Sequence, residues 1–433
     1  MKKKILNILL IAGALMLCSC DTQNDKKSVS ANNTVSSDKT TIKESVRETT
    51  TVKETTTKEE TTPPSGKVSL AFTGDIYFSD NLYGYYEAEG LKGFLSDKII
   101  DNMKNADLFI PDHEFVASDR GEMAEYQIYT FRAPSIREKL WKEMGADVVT
   151  LANNHTLDYG VTALQDTFSL LNDLGIDYVG AGNTLSEALK PCIREVNGKK
   201  IAIFGSTRFV PQGFWYVTES NPGLLTTYES TPYYGYICDA IAKAKKECDY
   251  VLIYVHFGEE KQHTVAPYQQ TVAHGYLDAG ADLVVGTHPH VLQGIEFYNG
   301  KPIIYSLGNF LFSNYHSDTV VLNVTVNEDN SSSVNLLPCS SQLYKTTDIE
   351  GSAARQLFDF IEGISFDIKI DDNGDVTPVS KSMTSYCTKK WLTLHEFSSA
   401  KRQPVILVFL PSISLPQFHF LLHALQPNHS NYT

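Results

Sequence analysis

At 433 residues, with 42% apolar side chains, the chain is long enough for one large domain or two ordinary ones around a substantial core. Asp and Glu (51) outnumber Lys and Arg (37) for a formal charge of -14, and no long basic patch interrupts the sequence. Nucleic acid is therefore excluded as a main partner, whereas a cation would be welcome. The seven cysteines include no Cys-x-x-Cys pair, which excludes a disulfide framework and a zinc-thiolate site, and most of them read as small buried apolar residues.

The N-terminus has the order of a bacterial lipoprotein signal. Three lysines, Lys2 to Lys4, precede an apolar run over residues 5–17 that is too short to span a bilayer as a mature helix. Leu17-Cys18-Ser19-Cys20 resembles a lipobox with Cys20 as the lipidated residue. The expectation is a signal peptide over residues 1–20 and a protein at the bacterial cell surface, lipid-anchored to the outer face of the cytoplasmic membrane. Cleavage before Cys20 would remove three lysines and no acid, taking the charge to about -17. Residues 21–66 are rich in Thr, Ser, Lys and Glu, contain no aromatic residue and end in Pro63-Pro64-Ser65-Gly66. That composition cannot bury enough apolar surface to fold and predicts a disordered linker with a reach of about 40 Å.

The folded part starts at Lys67. An alternating stretch over residues 68–73 and short apolar runs over 107–111, 146–150, 176–179, 200–204, 251–255, 282–285 and 303–306 predict strands. Helical spacing predicts helices over 91–104, 135–144, 161–174, 234–246 and 267–279. Strands alternating with helices predict α/β layering over residues 67–318. Residues 319–380 read as a mostly β continuation of the same domain, with strands over 320–326, 334–338 and 366–370. Residues 381–433 change character: apolar runs appear at 404–411 and 418–425, no acid follows Glu396, and the tail is atypical and of unknown role.

Ligand-type residues gather where predicted strands end. Asp75 follows the first strand, Asp112-His113-Glu114 the second, Asn153-Asn154-His155 with Asp158 the third, His256 a later one, and His288-Pro289-His290 the one after that. In open α/β sheets the carboxyl ends of strands are where ligands collect. A His-x-His loop sends two imidazoles into one small volume. Carboxylates, an amide oxygen and imidazoles together make a mixed N/O donor set suited to one or two divalent transition-metal ions (Mn, Fe or Zn) and unsuited to a soft thiolate metal or Ca²⁺. A pair of such ions about 3.5–4 Å apart clamps the oxygens of a displaced ester or amide.

With these residues in hand, the chain resembles the CapA family of capsule-biosynthesis proteins, of the poly-γ-glutamate type, related to the calcineurin-like metallophosphatases. The matching blocks are Phe72-Thr-Gly-Asp75, Asp107-Leu-Phe-Ile with Glu114, Leu151-Ala-Asn-Asn-His-Thr-Leu-Asp-Tyr-Gly160, Gly180-Ala-Gly-Asn183, His256-Phe-Gly with Glu260, Ala279-Gly-Ala-Asp-Leu-Val-Val-Gly286, His288-Pro-His-Val-Leu-Gln293 and Tyr305-Ser-Leu-Gly-Asn-Phe310. The resemblance implies a four-layer α-β-β-α sandwich of the metallophosphatase type. It also implies that Asp75 and His290 hold one metal, that Glu114 bridges, and that Asn154, His256 and His288 hold a second. His155 would be a general acid or orienting group beside Asn154. Asp112, His113, Glu260 and Asn309 are further candidates. Three positions depart from the family's pattern. Asp75-Ile76-Tyr77 lacks the usual His and leaves a mononuclear site open, Asp112-His113-Glu114 stands for Asn-Leu-Glu, and Phe257 replaces a Trp.

The resemblance implies a surface-anchored protein with a metal-dependent hydrolase site, acting in synthesis, export or processing of an anionic capsule polymer such as poly-γ-glutamate. Its partners would be that polymer or a phosphoester, the membrane through the N-terminal lipid, and other capsule-synthesis proteins. The alternatives are a non-catalytic export or anchoring component and a general extracellular phosphodiesterase.

Overall fold

A computed structural model describes residues 66–379 apart from residue 126. The signal peptide with Cys20, almost all of the linker, Cys387 and the tail over 381–433 lie outside the described residues.

Two sheets carry the fold. In the larger, the strands run in the order Ile368–Ile370, Asp375–Pro378, Ser332–Gln342, Ser317–Val326, Val68–Ile76, Leu108–His113, Val148–Thr150 and Asp177–Val179. Asn309–Leu311 pairs beside Val68–Ile76, and Lys345–Asp348 beside Ser332–Gln342. In the smaller, the order is Ile295–Tyr298, Lys301–Ile304, Leu283–Thr287, Tyr250–His256, Lys199–Thr207 and Cys192–Val196. Strands at the middle of each sheet run parallel to their neighbours, for example Val68–Ile76 with Leu108–His113 and Tyr250–His256 with Leu283–Thr287. Their carboxyl ends therefore open on a common edge, which is what brings distant segments of sequence to one site.

Apolar residues on both faces of these strands explain the layering, because a sheet buried on both sides needs no polar face. Phe72, Ile110, Val148, Ile203, Leu252 and Val285 meet in the core between the sheets. Phe109, Val149 and Ile76 face the helices on the outside of the larger sheet. Val251, Ile253 and Val284 face Pro232–Ala244 and Pro267–Ala279 on the outside of the smaller one. The result is the α-β-β-α sandwich. Tyr254, fully buried, reaches from one sheet to the other and donates its hydroxyl hydrogen to the carbonyl of Thr73.

Most predicted elements lie within a few residues of the observed ones, and the helix Pro267–Ala279 coincides with its prediction. Three helices were not anticipated, the short Leu185–Leu189 and two longer ones. Asp80–Glu89 is capped by Ser79, whose hydroxyl accepts from the Leu82 N–H. Gly351–Ile364 lies within the region read as mostly β. It buries Ala354, Leu357, Phe358 and Ile361, one stripe of a helix, against the core between the sheets.

Gly74 is where the strand Val68–Ile76 and the turn before Asn309–Leu311 leave least room. A Cβ there would lie 1.8 Å from the carbonyl oxygen of Gly308, backbone against backbone. Gly74→Ala should therefore cost about 3 kcal/mol of stability, the upper range for overpacking, because nothing flexible can give way. Urea unfolding of the two proteins checks this, and a loss under about 0.5 kcal/mol would contradict the close approach.

Candidate metal centre

Three acids reach the site from the larger sheet. A register shift between Phe72 and Asp75 breaks the regular pairing, so that Asp75 stands beside Asp112 on one side and Asn309 on the other. Glu114 lies one residue past its strand, with its N–H donated to the carbonyl of Ile76. Asp75, Asp112 and Glu114 are all fully buried.

The imidazoles come from the smaller sheet. His256 ends its strand opposite Thr287, and His288 and His290 follow directly. His288 and His290 have φ of 101° and 57°, a left-handed backbone that costs about 1–3 kcal/mol at a residue with a side chain. Contacts to the other sheet hold it. The His288 N–H donates to Asp75 Oδ1 (3.1 Å), and His290 Nδ1 lies 2.8 Å from Asn309 Oδ1 and 2.9 Å from Asp75 Oδ2.

His256 is oriented from behind. Its Nδ1 lies 3.1 Å from Asp112 Oδ2 and 3.1 Å from Thr287 Oγ1, and the Thr287 hydroxyl donates to Asp112 Oδ2 (2.9 Å). A carboxylate at Nδ1 places the proton there and leaves the lone pair on Nε2. That Nε2 lies 2.8 Å from Asn154 Oδ1, 3.0 Å from His288 Nδ1 and 3.6 Å from Glu114 Oε1. His290 Nε2 is 3.8 Å from the same Glu114 oxygen. Ligand atoms of Glu114, His256 and His288, and those of Asp75, Glu114 and His290, each fall within 4.8 Å of one another, so Glu114 is common to both groups.

The electrostatics show what this arrangement lacks. Neither carboxylate oxygen of Glu114 has a hydrogen-bond partner. Burial, then Asp75 and Asp112, push its carboxyl well above the usual range. Burial likewise raises Asp112 to about 7 and lowers His256 to about 3, and His288 is pushed well below its ordinary value for the same reason. Both imidazoles are thus neutral at pH 7, the ligating form. A buried carboxylate among lone pairs, without a donor, is costly unless a cation compensates it. The donor set of carboxylates, imidazoles and one amide oxygen fits a divalent transition metal.

These directions set the pH dependence. Asp112, raised in the fold, favours the metal-free protein below pH 3.8, and that contribution is lost as pH rises through about 7. His256, depressed in the fold, contributes above pH 6.5, and that contribution is lost as pH falls towards about 3. Metal uptake must expel the protons on Asp112 and Glu114, so affinity should rise with pH through about 7, with at least about one proton released per ion at pH 6. Calorimetry in two buffers of different ionisation enthalpy measures that release, and an affinity flat between about pH 6 and 7.5 would contradict it.

The turn after Val148–Thr150 supplies a separate proton-handling group. Asn153 pins it: its Nδ2 donates to the carbonyl of His113 (2.7 Å), and its Oδ1 accepts from the His155 N–H (3.0 Å) and the Thr156 hydroxyl (2.9 Å). His155 Nδ1 lies 2.7 Å from Asp158 Oδ2, and the Phe131 ring covers the imidazole with centroids 4.2 Å apart. Asp158 also accepts from the N–H of Phe131 (2.7 Å) and from Gln127 Nε2 (3.3 Å). Burial raises its carboxyl, and the bond to His155 lowers it. Nε2 is then the nitrogen of His155 free to hold or pass a proton. Asp158, which the sequence placed with Asn153, Asn154 and His155 at the end of this strand without a role of its own, is the partner that fixes His155.

Not every candidate joins the cluster. Strand alternation turns His113 to the opposite face of the sheet, where Nε2 lies 2.8 Å from Glu138 Oε1 and the ring stacks on Phe115 and Trp141. It therefore does not supply an imidazole to the centre. Tyr77, which stands where the resemblance leads one to expect a His, packs on Phe131 and donates its hydroxyl to the carbonyl of Arg132 (3.2 Å). Glu260 is exposed, on the wall of a cavity of about 540 Å³ that opens on the centre through Asn154 and His288. Asp112 and Asn309 touch the imidazoles His256 and His290 from behind. Among the described residues, no helix is long and apolar enough to cross a membrane.

The model of a family described as bacterial capsule synthesis protein PGA_cap matches residues 69–314. The PGA biosynthesis protein CapA of Bacillus subtilis (strain 168) is 41% identical over 175 residues, 40% of this chain and 44% of that protein. The capsule biosynthesis protein CapA of Bacillus anthracis is 38% identical over 178 residues, 40% of this chain and 42% of that one. The match thus spans less than half the length of these curated relatives. Among solved structures, that of Haemophilus influenzae NAD nucleotidase (NadN) covers 76% of this chain and 68% of its own, at 14% identity and a TM-score of 0.40, a likeness too low to carry an argument.

Proposed function

The chain belongs to the PGA_cap family of bacterial capsule synthesis proteins, and from that premise we propose that it is a metal-dependent hydrolase acting on an anionic capsule polymer such as poly-γ-glutamate. The polymer agrees with the printed name of the Bacillus subtilis relative, a PGA biosynthesis protein. The bond cleaved is an amide or phosphoester, and the protein is held at the outer face of the cytoplasmic membrane by lipid on Cys20, among other capsule-synthesis proteins.

One observation carries the reading: a fully buried Glu114 whose carboxylate has no hydrogen-bond donor yet faces His256 and His290. Asp75, Glu114, Asn154, His256, His288 and His290 would hold one or two ions of Mn, Fe or Zn. When bound, such an ion supplies a Lewis acid that polarises an oxygen of the scissile group. Asp112 holds His256 and Asn309 holds His290, each through the nitrogen next to its Cβ side. His155, fixed by Asp158, holds or delivers a proton at Nε2 for the leaving group.

Metal content tests the reading first. Plasma mass spectrometry of the purified protein should find one or two ions per chain, lost in His288→Ala/His290→Ala. Wild-type protein that stays metal-free after incubation with Mn, Fe and Zn in turn would sink it. A second reading, a non-catalytic export or anchoring component, draws on Tyr77, which points to the carbonyl of Arg132 and supplies no imidazole. Anchoring is tested separately: Cys20→Ala should move the protein from the membrane fraction to the supernatant.

A further inference from the structure

The cavity beside the centre presents a difficulty for an anionic substrate. Its wall carries Glu259 and Glu260, both exposed, and no cation. Phe209, Val210, Pro211 and Tyr228 line it as well. The guanidinium of Arg208 lies against the ring of Tyr228.

Arg208 is placed with care relative to the centre. Its N–H donates to the carbonyl of His256 (2.7 Å), and the next residue, Phe209, covers His288 with ring centroids 4.0 Å apart. The guanidinium carbon lies 4.1 Å from the ring centroid of Tyr228 and 4.4 Å from that of Tyr268. Tyr268 is itself fixed, because its hydroxyl oxygen accepts from the N–H of Gly258 (2.8 Å), two residues after His256. Two rings thus hold the cation in one place, which removes most of the rotamer freedom an arginine loses on binding. A single carboxylate, Glu229, pairs with Nη1, and both side chains remain in contact with solvent. A guanidinium carries five N–H donors, so one monodentate partner leaves most of the fork available.

We propose that Arg208, whose guanidinium lies against the cavity residue Tyr228, is a specificity-determining residue and binds a carboxylate of the acidic substrate, with Glu229 occupying part of the same fork until substrate arrives. The inference rests on the capsule-polymer reading above. An Arg–carboxylate pair held in this way contributes about tenfold in affinity.

The test uses the full-length protein and a fluorescent oligo-γ-glutamate, with the γ-linked isoglutamine oligomer of equal length, its α-carboxylates converted to amides, as the neutral control. Fluorescence anisotropy is read with Mn and again with chelator, so a failure of the metal reading leaves this result legible. Arg208→Gln should weaken binding of the acidic oligomer about tenfold and leave the neutral one unchanged, and Arg208→Lys should retain part of the affinity. Glu229→Gln, which frees the fork, should strengthen binding of the acidic oligomer. Unchanged affinity in Arg208→Gln overturns the proposal, as does equal weakening in Arg208→Gln and Glu229→Gln, which would mark the pair as a strut for its loop. Wild-type protein that does not prefer the acidic oligomer overturns it as well.

Discussion

Glu114→Gln protein should emerge from purification without metal and should be more stable than metal-free wild type. The two effects have one cause. Glu114 is fully buried, both its oxygens lack a donor, and Asp75 and Asp112 stand beside it. In the absence of a cation, that carboxylate either takes up a proton or remains as an uncompensated charge, and both cost stability at pH 7. An amide of the same shape removes the charge and lets one NH₂ face the lone pairs of the imidazoles. The gain should be about 1–3 kcal/mol for the metal-free form by urea unfolding, set against a loss of metal affinity of at least about a hundredfold. Isosteric Gln keeps packing unchanged, so a drop in metal-free stability would show that Glu114 is stabilised by something other than a cation. Retention of metal at wild-type affinity would remove Glu114 from the centre.

The second large effect is expected at His155. Replacing it with Ala should leave metal content intact and lower turnover of a cleavable substrate by about 10²–10⁴-fold, the range for loss of a general acid. The reason for the separation is geometric. His155 Nδ1 is taken by Asp158, and His155 is in none of the ligand groupings around Glu114. Asp158→Asn should reproduce much of the loss, since an amide at that position no longer selects the Nδ1–H tautomer. Coupled loss of metal and activity in His155→Ala would show that this imidazole belongs to the centre. Undiminished turnover would assign the proton transfer elsewhere.

The centre was legible in sequence where an apolar run gave way to a polar turn. Asp75, Asn154, His256 and His288 each follow such a run, and a parallel strand delivers its last residues to the same edge whatever the sequence between. Pairwise geometry was not legible. That Asp112 would hold His256 depends on how the two sheets face each other, with the residues more than 140 apart in sequence, and that Asn309 would hold His290 depends on Asn309 pairing beside Asp75. His113 was misplaced as a ligand candidate because the reading weighed residue type over alternation: neighbours in a strand face opposite sides. Gly351–Ile364 was missed for a different reason. Its buried positions, Ala354, Leu357, Phe358 and Ile361, have helical spacing, but it is enclosed by strands in sequence, and the β pattern on both sides was extended across it.

The candidate ligands of the centre are divided between the sheets: Asp75 and Glu114 from one, His256, His288 and His290 from the other. A cation seated there would act as a rivet through the sandwich, and its removal would loosen both halves at once. Hydrogen exchange in Val68–Ile76 and Tyr250–His256, strands far apart in the chain, should then accelerate together on chelation. In a cell, the supply of the ion would govern how long the folded protein survives its proteases, as well as whether it works.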